Sequence, residues 1–211
     1  MTRIGAIVLA AGRSSRYRAA GGPEATKLVA ALSGKPIVRR VVEAALASRA
    51  RPVAVVVGHA RASVETALAG LAAKIALNPD FETGLASSLR VGLTAMPADV
   101  AAAVVLLGDM PNVDAALIDR LIAAFEAATE ARAAAPVQNG RRGNPILLAR
   151  PLFEPAMRLD GDEGARRLLG ELGAGQIVEI EAAGSDAFFD VDTPADLEVR
   201  VAPGFDIRNI M

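Results

Sequence analysis

Two apolar runs, Val53-Ala54-Val55-Val56-Val57 and Ala102-Ala103-Val104-Val105-Leu106-Leu107, restrict the fold more than anything else in this chain. Neither alternates apolar with polar residues. A strand with one wet face does alternate, so these runs fit strands covered on both sides, as in a parallel sheet between helices. Comparable β-rich runs lie at 4–9, near 74–77, near 132–137, at 145–149 and at 176–181. Helical stripes separate them. Ile37, Val38, Val41, Val42, Ala45 and Leu46 form one, with Pro36 expected in the first turn of a helix reaching about Ala47. Leu117, Ile118, Leu121, Ile122 and Phe125 form another behind Asp114, a residue type suited to an N-cap. Residues 162–172 and 194–201 read as helices too, the second opening Thr193-Pro194 with Asp196 and Glu198 in its first turns. Strand–helix alternation to about residue 130 predicts an α/β chain, three-layer αβα, with a mostly parallel sheet and right-handed crossovers. No linker or repeat interrupts the 211 residues, so one domain over 1–211 is expected.

Composition removes several classes of function. The net charge is −1 and no Lys/Arg-rich run occurs, which argues against nucleic acid or a membrane surface as partner. With no cysteine there is no thiolate metal site and no cysteine nucleophile, and a reducing cytoplasm suits the chain. The apolar start at 4–11 is followed by Arg13, Arg16 and Arg18 rather than by a small-residue cleavage site. No stretch approaches the roughly 20 apolar residues of a membrane span. A soluble, cytoplasmic protein is expected.

In a fold of this kind ligands bind just beyond the carboxyl ends of the strands. The segments to inspect are therefore 9–27, 58–61, 78–90, 108–112 and 138–144. The first opens Leu9-Ala10-Ala11-Gly12-Arg13-Ser14-Ser15-Arg16. Its small residues let backbone N–H groups approach a ligand, and Ser14 and Ser15 add donors. Arg13, Arg16, Arg18 and Lys27 are opposed only by Glu24. Oriented amides with cations suit a phosphate chain; the same residues also suit a connecting loop with a solvated basic edge. The segment is neither a P-loop nor a G-x-G-x-x-G turn.

Leu107-Gly108-Asp109-Met110-Pro111 puts an aspartate directly after a buried strand. Asp109 can cap the turn that follows, or share Mg²⁺ with substrate phosphates, since that ion takes one or two carboxylates alongside phosphate oxygens. Met110 reads as packing. In Phe189-Asp190-Val191-Asp192-Thr193-Pro194, extended geometry puts Asp190 and Asp192 on one face. Like charges there repel unless a cation lies between them. Asp192 or Thr193 can equally cap the helix that begins at Pro194. Read jointly, the segments can seat a nucleoside triphosphate, with Arg16 and Lys27 on its β- and γ-phosphates and Mg²⁺ bridging Asp109 and Asp192 to phosphate. An acceptor phosphate attacking the α-phosphorus in line would expel pyrophosphate. Such chemistry is mostly positioning and charge neutralisation, within reach of a chain with no cysteine and one histidine. That histidine, His59, reads as a structural hydrogen-bonding group.

These motifs resemble the molybdopterin nucleotidyltransferases. The shared pattern is Leu9-Ala10-Ala11-Gly12-x-Ser14-x-Arg16…Lys27, Leu107-Gly108-Asp109-Met110-Pro111 and Asp190-Val191-Asp192-Thr193-Pro194. Three further stretches resemble the molybdenum cofactor cytidylyltransferase branch: Gly84-Leu85-Ala86-Ser87-Ser88-Leu89-Arg90-x-Gly92-Leu93, Arg142-Gly143-Asn144-Pro145 and Gly161-Asp162-x-Gly164-Ala165-Arg166. The resemblance runs in order over about residues 4–200 and implies a Rossmann-like nucleotidyltransferase fold. It implies Mg²⁺-dependent transfer of CMP from CTP to the phosphate of molybdopterin or the molybdenum cofactor, with a client molybdoenzyme as a further partner. Leu9, Ala10, Ala11, Gly12 and Ser14 would contact the nucleotide, and Arg16 and Lys27 would bind its triphosphate. Asp109 would be the principal metal ligand, with Asp192 matching the second metal position better than Asp190. Ser87, Ser88 and Leu89 would lie near the base and ribose, and Gly143, Asn144, Asp162 and Arg166 would face the acceptor. The alternatives are guanylyl transfer to molybdopterin, nucleotidyl transfer to a sugar or polyol phosphate, and a non-catalytic cofactor chaperone. In one place the chain departs from the pattern. Ten residues, Tyr17 to Thr26, separate Arg16 from Lys27 where the family usually has only a few.

Overall fold

The unbroken apolar runs lie at the centre of a sheet in the computed structural model, which describes residues 2–173, 175–182 and 188–201. Strand β1 (Ile4–Ala10) leads into helix α1 (Ser15–Ala19), a small hairpin of β2 (Ala31–Leu32) and β3 (Lys35–Pro36), and α2 (Ile37–Ala47). There follow β4 (Val53–Val57), α3 (Arg61–Ala67), β5 (Lys74–Leu77) and α4 (Leu85–Thr94). Next come β6 (Ala102–Leu107), α5 (Ala115–Ala127), β7 (Ala133–Gln138), β8 (Arg141–Arg142) and β9 (Ile146–Ala149). Helices α6 (Phe153–Met157) and α7 (Ala165–Leu169), strand β10 (Ile177–Glu181) and helix α8 (Pro194–Val201) complete the order.

Among the described residues the sheet has 8 strands in the order β10-β7-β9-β6-β1-β4-β5, with β8 paired to β7. β1 runs parallel to both neighbours, Val8 facing Val55 of β4 and Leu106 of β6. β9 runs antiparallel to β6 and β7, so the sheet is mostly but not wholly parallel. One face carries α2, α3 and α5 against Ala6, Val8, Val55 and Val104. The other carries α4, α6 and α7 against Ile7, Leu9, Val56 and Val105. Successive residues of β1 thus enter opposite cores, which is why its sequence cannot alternate with polar residues. This is the expected α/β, three-layer arrangement.

Helix boundaries show where local patterns mislead. Pro36 precedes the first helical residue of α2, with φ −53° and ψ 136°, instead of lying in its first turn. Asp114 caps α5 as expected, its carboxylate accepting from Leu117 N at 2.8 Å. The helix read over 162–172 is observed only as α7; Gly161, at φ +55°, precedes it, and its carbonyl accepts from Ala86 N at 3.0 Å, docking the segment on α4. In α4, Ser87 and Ser88 occupy buried positions and break the apolar stripe that would have advertised the helix. No described helix is long and apolar enough to cross a membrane.

Candidate active site

The loop after β1 and the residues after β6 meet because their strands are neighbours: Gly108 N donates to Leu9 O at 2.9 Å. From Gly12 the chain turns outward through Ser14, a non-glycine residue at φ 53°, into α1. The long segment from Tyr17 to Thr26 is folded down. Tyr17 is buried with Ala30, Leu32, Ile37 and Val191, and its ring lies where a side chain on Gly22 would be, 2.1 Å from a Cβ built there. Its hydroxyl donates to Glu24; burial and then that carboxylate push the phenol well above its ordinary pKa. His59 Nε2 lies 3.2 Å from Ala25 O and its ring stands beside Phe81, a structural role. The added residues therefore form an anchored turn that returns Lys27 to the end of β1.

Lys27 is the hub of the site. Its ammonium lies 2.8 Å from Asp109 Oδ2 and 2.9 Å from Asp192 Oδ1, and its side chain is only 13% exposed. Burial alone would lower its pKa, but Asp109 and then Asp192 outweigh burial and hold the pKa above the ordinary lysine value. Arg16, largely in solvent, pairs with the other oxygen of Asp192. Asp196 accepts from Asp192 N at 2.9 Å, Thr193 N at 2.7 Å and Thr193 Oγ1 at 3.0 Å, so the chain entering α8 is held by Asp196 and not by the Asp192 carboxylate. Val191 is fully buried and its N–H donates to Asp109 O at 3.1 Å, joining the two aspartate segments. Asp190 lies beside them. Desolvation first, then the charges of Asp192 and Asp109, raise its pKa.

These groups open onto a cavity of about 580 Å³. Of the sequence-derived candidates, Leu9, Ala11, Gly12, Ser14, Arg16, Lys27, Ser88, Asp109, Asp162 and Asp192 line it. Ala10 and Leu89 do not; both are buried in the cores on either side of the sheet. Ser87 lies behind the wall, its hydroxyl 2.8 Å from Gly84 O and accepting from Asn78 Nδ2 at 2.8 Å. Gly143, Asn144 and Arg166 are not among the lining residues. Gly143 is where Phe188 packs, 2.4 Å from a built Cβ, and Arg166 is exposed on α7. Asp162 reaches the cavity because Gly84, at φ +109°, has no Cβ to strike Gly161 O. Sequence reasoning did not single out Asn78, fully buried and bonded to Ser87 and Ser88, or Phe81, Glu82 and Leu85 in the wall. Asn78, Phe81 and Glu82 carry no signal beyond their place after a strand, while Leu85 stands in the Gly84–Leu93 motif without a role of its own. Glu82 holds Arg13 at 3.6 Å across the rim.

Asp109 Oδ1 provides a test of metal fit. It is buried and, among the described residues, has no hydrogen-bond partner, while its twin oxygen takes Lys27. A buried carboxylate oxygen without a donor is costly, and a hard cation is the kind of partner such an oxygen lacks. Asp109 and Asp192 converge closely enough to share one ammonium, and two carboxylates with substrate phosphates suit a divalent ion. Among the described residues no group of three or more metal-ligating side chains exists, so protein alone would not complete the coordination.

Residues 6–176 match the MobA-like NTP transferase domain. The chain belongs to this family. The α/β framework around the cavity is therefore a nucleotidyltransferase domain. This MobA-like protein is 33% identical over 205 residues to the purine catabolism protein PucB of Bacillus subtilis, covering 92% of this chain and 93% of PucB. It is 35% identical over 136 residues to the bifunctional protein GlmU of Sorangium cellulosum, covering 62% of this chain and 28% of GlmU. The chain thus spans well under two thirds of the GlmU proteins it matches. Among solved structures, Rv0371c of Mycobacterium tuberculosis is 28% identical with a TM-score of 0.80, covering 93% of this chain and 96% of that one. Rv0371c has also been solved in complex with manganese.

Proposed function

We propose that this nucleotidyltransferase moves CMP from CTP to the phosphate of molybdopterin, with or without bound molybdenum, and releases pyrophosphate. The observation that carries the reading is the convergence of Asp109 and Asp192 on Lys27 beside a cavity walled by the loop after β1. In this reading Arg16 and Lys27 turn to the β- and γ-phosphates, and the backbone from Leu9 to Gly12 approaches the nucleotide. Asp109 and Asp192 would hold Mg²⁺, which supplies charge neutralisation of the triphosphate. An oxygen of the acceptor phosphate forms a bond to the α-phosphorus, and the bond to the β-phosphate oxygen breaks with its electron pair leaving on pyrophosphate. No side-chain nucleophile is required.

The cytidylyl and molybdopterin choices rest on the branch motifs. Gly84 and Gly161 dock against each other and bring Asp162 to the cavity, which supports an acceptor approaching from that side. Ser88 at the wall supports a base and ribose beside α4. Asn144, Gly143 and Arg166 are assigned to the acceptor on the branch motifs alone, since they lie outside the cavity lining. The 211-residue chain acts as one nucleotidyltransferase domain in the cytoplasm, ahead of a client molybdoenzyme.

Incubation with molybdopterin, Mg²⁺ and either CTP or GTP, followed by mass spectrometry of the product, tests the proposal. A mass gain of one CMP with CTP is expected. Preferential transfer of GMP would overturn the base assignment, and transfer only to a sugar or polyol phosphate would overturn the acceptor.

A further inference from the structure

Thr26 is fully buried, yet it carries a hydroxyl in direct contact with the phosphate loop. Its Oγ1 lies 2.8 Å from Ser14 Oγ and accepts from Leu28 N at 3.4 Å. Ser14 Oγ in turn accepts from Lys27 N at 3.1 Å. A hydroxyl has one proton and two lone pairs. Among the described hydrogen bonds, Ser14 Oγ is the acceptor available to the Thr26 proton, and a buried hydroxyl proton left without an acceptor is penalised. Thr26 therefore donates to Ser14. Both lone pairs of Ser14 are then occupied, one by Thr26 and one by the Lys27 amide. Its own proton is left over, on a side chain that lines the cavity.

We infer that Thr26 is a positioning residue that makes Ser14 an obligate donor to an anionic oxygen of the bound triphosphate, and that the same pair clamps the backbone of Lys27. A serine so arranged cannot accept from a ligand, so it favours phosphate oxygens over groups that bring N–H or O–H. The clamp also accounts for two local oddities. Ser14 holds a left-handed conformation, φ 53°, that a non-glycine residue keeps only where its surroundings determine it. And Lys27 stays in place although ten residues separate it from Arg16, because it is tied to Ser14 across that gap.

The inference rests on the cavity being the triphosphate site, and its test uses whichever of CTP, GTP, ATP and UTP most stabilises the wild-type protein thermally in the presence of Mg²⁺. Binding of GTP instead of CTP would thus remove the cytidylyl reading and leave the clamp to be judged on GTP. If none of the four stabilises the protein, the cavity is not a triphosphate site and the inference falls with it. Ser14→Ala and Thr26→Val should each weaken that nucleotide about tenfold, the usual effect of losing a hydrogen bond to a charged group. Thr26→Ser should restore wild-type affinity. The double variant should bind no more weakly than Ser14→Ala alone, since Thr26 acts through Ser14. Multiplying losses in the double variant, or wild-type affinity in a folded Thr26→Val protein, would overturn the inference. Should Thr26→Val not fold, Ser14→Ala decides. Faster hydrogen exchange at the Lys27 amide together with weaker nucleotide binding supports the clamp, and wild-type exchange or affinity contradicts it.

Discussion

Lys27 occupies a position that two chemistries compete for. In the protein alone its ammonium neutralises Asp109 and Asp192; during the proposed reaction those carboxylates hold a cation and the ammonium faces phosphate. Removing the ammonium leaves two carboxylates with one fewer positive partner. Lys27→Met should therefore bind Mn²⁺ more tightly than wild type without nucleotide, by about tenfold, as read from the electron paramagnetic signal of free Mn²⁺. The same variant should lose turnover by on the order of 10², as for a removed charge-stabilising donor. Because the carboxylates raise the Lys27 pKa, the sign of its pH effect is clear. The ion pairs are fully present below the ordinary lysine pKa and are lost only as pH rises through the higher folded value. Activity at neutral pH should not report titration of Lys27.

At the level of elements, the turn between α1 and Lys27 depends on a single aromatic side chain. Tyr17→Ala empties its buried site and should cost about 3–5 kcal/mol of stability, lowering the midpoint of urea unfolding. Tyr17→Phe keeps the packing and loses the bond to Glu24, about 1 kcal/mol. Burial raises the Tyr17 pKa, so the advantage of wild type over Tyr17→Phe is fully present below the ordinary tyrosine pKa of about 10. It is lost as pH rises from there through the folded value, which pH-dependent unfolding of both proteins would show. Helix α5 offers an independent check: Asp114→Ala removes the cap on Leu117 N and should cost about 1 kcal/mol in the same unfolding measurement, with nucleotide binding unchanged.

On the scale of the whole molecule, the sheet centre was legible because β1, β4 and β6 are buried on both faces and must be apolar throughout. Asp109 and Asp192 were legible as strand-end and helix-start aspartates. Their meeting follows from reading the segments jointly, but its geometry does not: Lys27 and Asp192 are 165 positions apart, and the sequence does not show that the ammonium itself sits between the two carboxylates. Local pattern could not separate a capping Asp192 from a free one either. Asp196, four residues on, reaches back to the N–H groups of Asp192 and Thr193, and that arrangement is a matter of geometry. Leu89 misled in the opposite way: it sits in a motif beside Ser88, but the 3.6-residue turn of α4 carries it into the core. The short helices α3, α6 and α7 escaped or were overextended because a five- to seven-residue helix is too short to show a stripe.

The most direct test of the account is pyrophosphate release from CTP and molybdopterin with Mg²⁺, comparing wild type with Asp109→Ala. Wild type should turn over and stop when the metal is chelated. The variant should keep its fold by circular dichroism and lose turnover by about 10²–10³ or more. A folded Asp109→Ala protein that releases pyrophosphate near the wild-type rate would contradict the site.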